Sequence, residues 1–176
     1  MTRAASLHPN SIEAGDHEAY MRLALSLATK SPPKPTNYRV GALVLDVAKN
    51  EILATGYTLE LPGNTHAEQC CFEKLAEQYS VTPELLSQVL PDEVALYTTV
   101  EPCSERLSGN LPCVDRILAI GKRIRTVYVG VQEPAKFVSE NSSSQKLKAA
   151  GIDVVHVGGT EKEILEIATA GHERSA

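Results

Sequence analysis

The chain has little of what would place it in a membrane or on nucleic acid. No apolar run approaches the roughly 18 residues that span a bilayer. No apolar segment follows Met1, where Thr2-Arg3-Ala4-Ala5-Ser6 is short and polar. Neither a spanning helix nor a secretory leader is therefore expected. Positive charge is not in excess: 17 Lys and Arg stand against 22 Asp and Glu, a net charge of −5. A protein that grips nucleic acid through a broad basic surface needs the opposite balance. There is no internal repeat, and the only biased segment is Asn141-Ser142-Ser143-Ser144. Cysteine is sparse, at Cys70, Cys71, Cys103 and Cys113. An even count can mark a disulfide framework in a small secreted chain. Without a leader the expected setting is the cytoplasm, a reducing compartment where cysteine clusters more often bind metal or do chemistry.

What is present is ordinary globular material. With 176 residues, 43% hydrophobic and 22% charged, the chain is long enough for one domain with a sizeable core. Residues 1–15 carry little periodic signal and read as a flexible N-terminal arm; residues 16–176 read as a single domain. Asp16 is placed to cap a helix carrying Tyr20, Leu23, Ala24, Leu27 and Ala28 at helical spacing. Pro32, Pro33 and Pro35 end it. Val40 to Leu45 is a short apolar run that reads as a buried strand, and Ile52 to Thr58 as its antiparallel return. A helix over 66–79 follows, capped by Thr65, then a short helix over 81–88 entered through Pro83. Strands are expected at 94–99, 125–131 and 152–157. They alternate with helices at 113–120, 144–150 and 161–170, the first two closed by Gly121 and Gly151. Such alternation implies parallel pairing with right-handed crossovers. The expected architecture is α/β: a three-layer α/β/α fold on a five-stranded mixed sheet, the first two strands antiparallel and the later ones parallel.

Two patches carry the chemistry. His66-Ala67-Glu68 offers an imidazole and a carboxylate; Glu101-Pro102-Cys103 through Cys113 offers two thiols. Zinc favours tetrahedral sites built from Cys and His, and a catalytic zinc takes three protein ligands and leaves a fourth position open. His66, Cys103 and Cys113 make three. Glu68 is near enough to handle the proton of a water at such a site without binding the metal. His-x-Glu followed by Pro-Cys-x-x-Cys is the pattern of zinc nucleobase deaminases, although here nine residues separate the two cysteines. Either patch alone is common by chance, and two cysteines ten positions apart are often just small buried hydrophobes. Their order and the proline before Cys103 favour the metal reading. His66 and Glu68 in the first turn of a helix would lie beside its free backbone N–H groups. Cys103 lies just past the carboxyl end of a central strand, where open α/β sheets place ligands. Cys70, one turn after His66, is a conceivable fourth ligand that would close the open position. His156 reads as a satisfied sheet residue, and His8, His17 and His172 need no role.

These residues resemble the cytidine deaminase-like superfamily and, within it, the riboflavin-pathway pyrimidine deaminases. The likeness runs through Asn37, Val40-Gly41, His66-Ala67-Glu68, Thr99 to Ser104, Pro112-Cys113, Glu133-Pro134 and the stretch from Leu147 to Val154. The spacer Ser104 to Pro112 departs from the bacterial bifunctional deaminase–reductase pattern, and no reductase domain follows. Both features resemble the stand-alone fungal type. The resemblance implies zinc as cofactor and 2,5-diamino-6-ribitylamino-4(3H)-pyrimidinone 5′-phosphate as substrate. It implies His66, Cys103 and Cys113 as ligands and Glu68 as the catalytic group that moves protons between water, ring nitrogen and departing amine. It also implies Asn37, Ala67 and Glu101 as substrate contacts and, as partner, a second copy of the chain in a homodimer. Arg39, Arg106 and Lys136, on expected loops, are candidates for the phosphate. Ser104, Ser108 and Asn110 are candidates for the ribityl hydroxyls.

Two rivals remain open at this level. One is a deaminase of tRNA adenosine or of cytidine nucleotides, which usually carries a two-residue Cys–Cys spacer and, for tRNA, a basic face. The other is a non-catalytic zinc-binding scaffold, which has no need of Glu68.

Overall fold

The structure, a computed structural model, describes residues 11–134 and 141–173. Its centre is the strand β3 (Val94–Val100), buried at every position. Along it, side chains alternate between two cores. Val94 and Leu96 join the cluster containing Phe72, Leu75, Val114 and Ile117, whereas Ala95 and Tyr97 join Tyr20, Met21, Ala24 and Ile164. A strand covered on both faces must be apolar on both, which is why this run shows no polar alternation.

Around it the chain builds α1 (His17–Ala28), β1 (Gly41–Asp46), β2 (Glu51–Tyr57), α2 (Ala67–Gln78) and α3 (Leu86–Val89), and after β3 it adds α4 (Cys113–Ile120), β4 (Ile124–Val131), α5 (Ser143–Ala149), β5 (Asp153–His156) and α6 (Glu161–Ala168). The sheet order is β2-β1-β3-β4-β5. β1 runs antiparallel to both β2 and β3, while β3, β4 and β5 are parallel. Residues of α2, α3, α4 and α5 fill one core and those of α1 and α6 the other. This is the expected three-layer α/β/α arrangement. No helix among the described residues is long and apolar enough to cross a membrane.

The differences from expectation are local. The helix expected over 81–88 is a single 3-10 turn, Pro83–Leu85, followed by the four residues of α3. Thr65 does not cap α2: its hydroxyl donates to the Leu61 carbonyl at 2.9 Å, and His66 itself is the N-cap. Of the expected arm over 1–15, only residues 11–15 are described. Residues 1–10, with His8, lie outside the described residues, but Ile12 is already buried in the α1 core and its carbonyl accepts from Asn50 Nδ2 at 2.9 Å. His17 has a structural place, stacking on Tyr128 with Nδ1 2.8 Å from the Tyr97 hydroxyl. His156 is a sheet residue with a partner, Nε2 lying 3.0 Å from the Gly130 carbonyl, but it is exposed on the edge strand.

Candidate metal centre and its cleft

Three chain segments meet at one end of the sheet. The first is the start of α2. His66 has extended backbone (φ −92°, ψ 160°) and its N–H donates to Gln69 Oε1 at 3.4 Å. The turn lies directly on β2, because a Cβ at Gly56 would come within 2.3 Å of the Ala67 carbonyl oxygen. Only glycine allows so close an approach of helix and strand backbones. The second segment is the exit of β3 through Glu101-Pro102-Cys103. The third is the start of α4, with Pro112 as N-cap and Cys113 as first helical residue. Ser104 to Leu111 leaves and returns, so cysteines ten positions apart become neighbours. The free amides of α4 close the contact: Cys113 N–H donates to Cys103 Sγ at 3.3 Å and Val114 N–H to the Cys103 carbonyl at 3.1 Å.

His66 Nδ1 is 3.5 Å from Cys103 Sγ and 3.5 Å from Cys113 Sγ, and the three donor atoms lie within 4.8 Å of one another. Zn–S bonds of about 2.3 Å and Zn–N bonds of about 2.0–2.1 Å at tetrahedral angles put N and S about 3.6 Å apart. The donor set and its spacing therefore fit zinc. Cys70 is not part of the cluster; its thiol interacts with Thr65 and the Leu61 backbone. Cys71 reaches the Ala42 carbonyl at 3.6 Å. Among the described residues no further His, Cys, Asp or Glu joins the three donors.

Proton affinities follow from the packing. The Cys103 thiol is pulled down to about 4, first by its hydrogen bond with Cys113 and further by His66 and the Cys113 N–H, against burial. Cys113 is pushed up by the bond it donates to Cys103 and by burial. Glu68 is 3% exposed. Burial, then the neighbouring Cys103 charge, raise its carboxyl above the usual carboxylate range, while His66 and Thr98 oppose the shift. Its Oε1 accepts from Thr98 Oγ1 at 3.0 Å, and its Oε2 lies 3.5 Å from Cys113 Sγ. A carboxyl whose proton affinity is raised by burial beside a metal site is suited to both taking and returning a proton.

His66, Glu68 and Cys103 border an open cleft of about 770 Å³, mouth included. Asn37 and Asn64 share one wall, Asn37 Nδ2 donating to Asn64 Oδ1 at 2.9 Å. Arg106, Leu107 and Ser108 of the spacer form another, and Glu101 and Glu133 also border the space. Leu107 is 81% exposed. Arg106 is the only Arg or Lys lining the cleft among the described residues. It donates to Gln69 Oε1 at 3.2 Å and to the Asn64 carbonyl, while its buried Nε has no partner.

Other expected contacts fall elsewhere. Arg39 points away, donating to the Ser31 and Thr29 carbonyls at 2.7 Å each, where it closes the end of α1. Ala67 is buried under the α2 turn. Ser104 is buried and accepts from the Ser142 N–H at 3.1 Å. Asn110 is exposed outside the cleft lining, its N–H donating to Ser108 Oγ at 3.3 Å. Lys136 lies outside the described residues. Glu101 borders the cleft but also ties elements together, accepting from Ser144 Oγ at 2.8 Å and from the Glu133 N–H at 3.4 Å. Three residues escaped the sequence reading as site members: Thr98, Asn64 and Glu133. Thr98 carried a usable signal, a hydroxyl at the next inward step after Val94 and Leu96 on a strand leading into the site. Asn64, one polar loop residue among several, carried none.

With this geometry in view, the chain matches the sequence model described as the cytidine and deoxycytidylate deaminase zinc-binding region over residues 14–131, and it belongs to that family. It is 38% identical over 157 residues to the diaminohydroxyphosphoribosylamino-pyrimidine deaminase of Schizosaccharomyces pombe, covering 89% of this chain but 36% of that protein. The chain thus spans about a third of the length of that curated relative. Among solved structures it is similar to Aspergillus oryzae Rib2 deaminase in complex with DARIPP, with 48% identity, a TM-score of 0.80 and coverage of 89% of this chain and 92% of that one. It is also similar to the diaminohydroxyphosphoribosylaminopyrimidine deaminase/5-amino-6-(5-phosphoribosylamino)uracil reductase of Thermotoga maritima, with 28% identity and a TM-score of 0.68 over 88% of this chain and 40% of that one.

Proposed function

We propose that the chain is a zinc-dependent deaminase of riboflavin biosynthesis. It converts 2,5-diamino-6-ribitylamino-4(3H)-pyrimidinone 5′-phosphate and water to the corresponding pyrimidinedione phosphate and ammonia. The observation that carries this reading is the convergence of His66 Nδ1, Cys103 Sγ and Cys113 Sγ at zinc-ligand spacing beside the buried carboxyl of Glu68. The Schizosaccharomyces and Aspergillus relatives support the pyrimidine substrate class.

Zinc bound by these three side chains would supply a Lewis acid that lowers the pKa of water to about 7. The remaining roles belong to the protein. Glu68 takes a proton from the attacking water and passes it to the ring nitrogen, then helps protonate the exocyclic amine. The water oxygen bonds to the ring carbon, the C–N bond breaks, and ammonia leaves. Asn37, with both a donor and an acceptor, reads the pyrimidine edge, and Asn64 holds its amide. Glu101 holds the wall beside the ring. Arg106, which lines the cleft, binds the phosphate.

Ammonia release tests the reading. Zinc-loaded protein is assayed on the ribityl and ribosyl diaminopyrimidinone phosphates, with dCMP and a tRNA stem carrying a target adenosine as controls. Release from the ribityl compound alone is expected. Release from dCMP or tRNA instead would move the chain to another deaminase class, and one tightly held zinc without any release would make it a scaffold. Glu68→Gln is expected to keep its zinc and lose about 10²- to 10⁴-fold in turnover. Wild-type rates in a zinc-replete Glu68→Gln protein would remove Glu68 from the chemistry.

A further inference from the structure

Thr98 is a hydroxyl where its strand otherwise presents Val94 and Leu96 to the α2 core. It is fully buried and pairs in the middle of the sheet, opposite Ala42 on β1 and Val129 on β4. A valine would fill the same space. The Thr98 hydroxyl has two acceptors in reach: Glu68 Oε1 at 3.0 Å and the Val100 carbonyl at 2.9 Å. One hydroxyl carries one proton, so it can serve only one of them at a time.

We propose that Thr98 is a positioning residue that fixes the carboxyl of Glu68, holding Oε1 to the sheet so that Oε2 faces the metal donors. The inference rests on the deaminase reading. With the hydroxyl proton on Oε1, that oxygen is held on the side of β3. Oε2 is the oxygen on the side of the metal donors, 3.5 Å from Cys113 Sγ. With the hydroxyl turned to Val100 instead, Oε1 has no bond from β3 to hold it. The bond to Oε1 fixes the carboxyl plane. Thr98 touches neither substrate nor metal.

The test compares Thr98→Val and Thr98→Ser with wild type and Glu68→Gln. The readouts are zinc content, thermal unfolding, kcat and KM. The infrared carboxyl bands of Glu68 are assigned by difference from Glu68→Gln. Thr98→Val is expected to hold its zinc and leave KM unchanged while kcat falls on the order of 10- to 100-fold. Its Glu68 band should shift in metal-free and zinc-loaded protein alike, and Thr98→Ser should recover most of kcat and the wild-type band. Unchanged kcat in Thr98→Val, or a loss of zinc that accounts for the whole loss of rate, would overturn the role of Thr98 and leave the deaminase reading intact. Absence of turnover in wild type would overturn the reading itself. If Thr98→Val does not fold, Thr98→Ala against Thr98→Ser poses the same question; equal kcat in those two would overturn the proposal.

Discussion

Arg39 and Arg106 carry the same guanidinium and end in different places. Arg39 covers the Ser31 and Thr29 carbonyls behind α1, whereas Arg106 stands in the cleft wall. Both precede or interrupt polar loop sequence, and nothing in residue type separates them. Ser104 and Asn110 illustrate the same limit: loop polarity suggested ligand contacts, yet Ser104 fastens the Ser142 backbone and Asn110 faces solvent. The metal donors were legible because zinc chemistry restricts the residue types that can serve and because the proline and spacing mark them. Glu133 gives the residue scale its pH test. Burial, then the Cys103 charge, raise its carboxyl from 4.5 to about 7. The folded state therefore binds more protons than the unfolded chain between these values, and this group's contribution to stability is lost as pH rises from about 4.5 to about 7. In metal-free protein, Glu133→Gln should flatten the fall of unfolding temperature across that window relative to wild type. An unchanged slope would mean that Glu133 does not titrate there.

Among elements, α2 matters most to the site, because its first turn carries both His66 and Glu68. Apolar positions at Cys70, Phe72, Leu75 and Ala76 made the helix readable, but its starting residue was not. Thr65 has the better capping side chain, yet it turns back to Leu61 and leaves His66 as N-cap. That placement keeps the imidazole free of the helix interior and aimed at the thiols. Gly56 sets the height of this turn above the sheet. Gly56→Ala would drive a methyl group into the Ala67 carbonyl, and such overpacking typically costs about 1–3 kcal/mol. Chemical denaturation should show a loss of that size, together with weaker zinc binding as His66 is displaced. Wild-type zinc affinity in a destabilised Gly56→Ala protein would show that the α2 turn can shift without carrying its ligand away. The α4 start acts in the same way on the thiols, its first two amides holding Cys103 in place.

For the whole molecule, the site exists because the sheet order puts β3 between β1 and β4. The chain leaves the edge strand β2, passes through α2 over one face, and returns beside β1 on its other side. That path brings the start of α2 to the exit of β3, and the crossover to β4 brings α4 to the same end. A metal held by α2, the β3 exit and α4 would tie three separate pieces of chain together. Zinc should therefore stabilise the fold by mass action, by about 2.7 kcal/mol at free zinc 100 times its Kd. A chelator should lower the unfolding temperature reversibly, and the His66→Ala protein should be insensitive to it. An unfolding temperature indifferent to chelation in wild type would mean that the three segments hold no zinc.

The amino-acid order by itself determined most of the elements, the two-sided burial of the sheet and the candidate metal donors. These depend on local periodicity, on breakers such as Pro32 and Gly121, and on side-chain chemistry, all of which are written along the chain. Only the tertiary structure decided that β1 pairs with β3, that the nine-residue spacer returns Cys113 to Cys103, and that Arg106 rather than Arg39 borders the cleft. It also put a hydroxyl from the middle of the sheet beneath Glu68. These outcomes depend on which surfaces meet at long range, and many alternative meetings are compatible with the same local pattern until packing selects one.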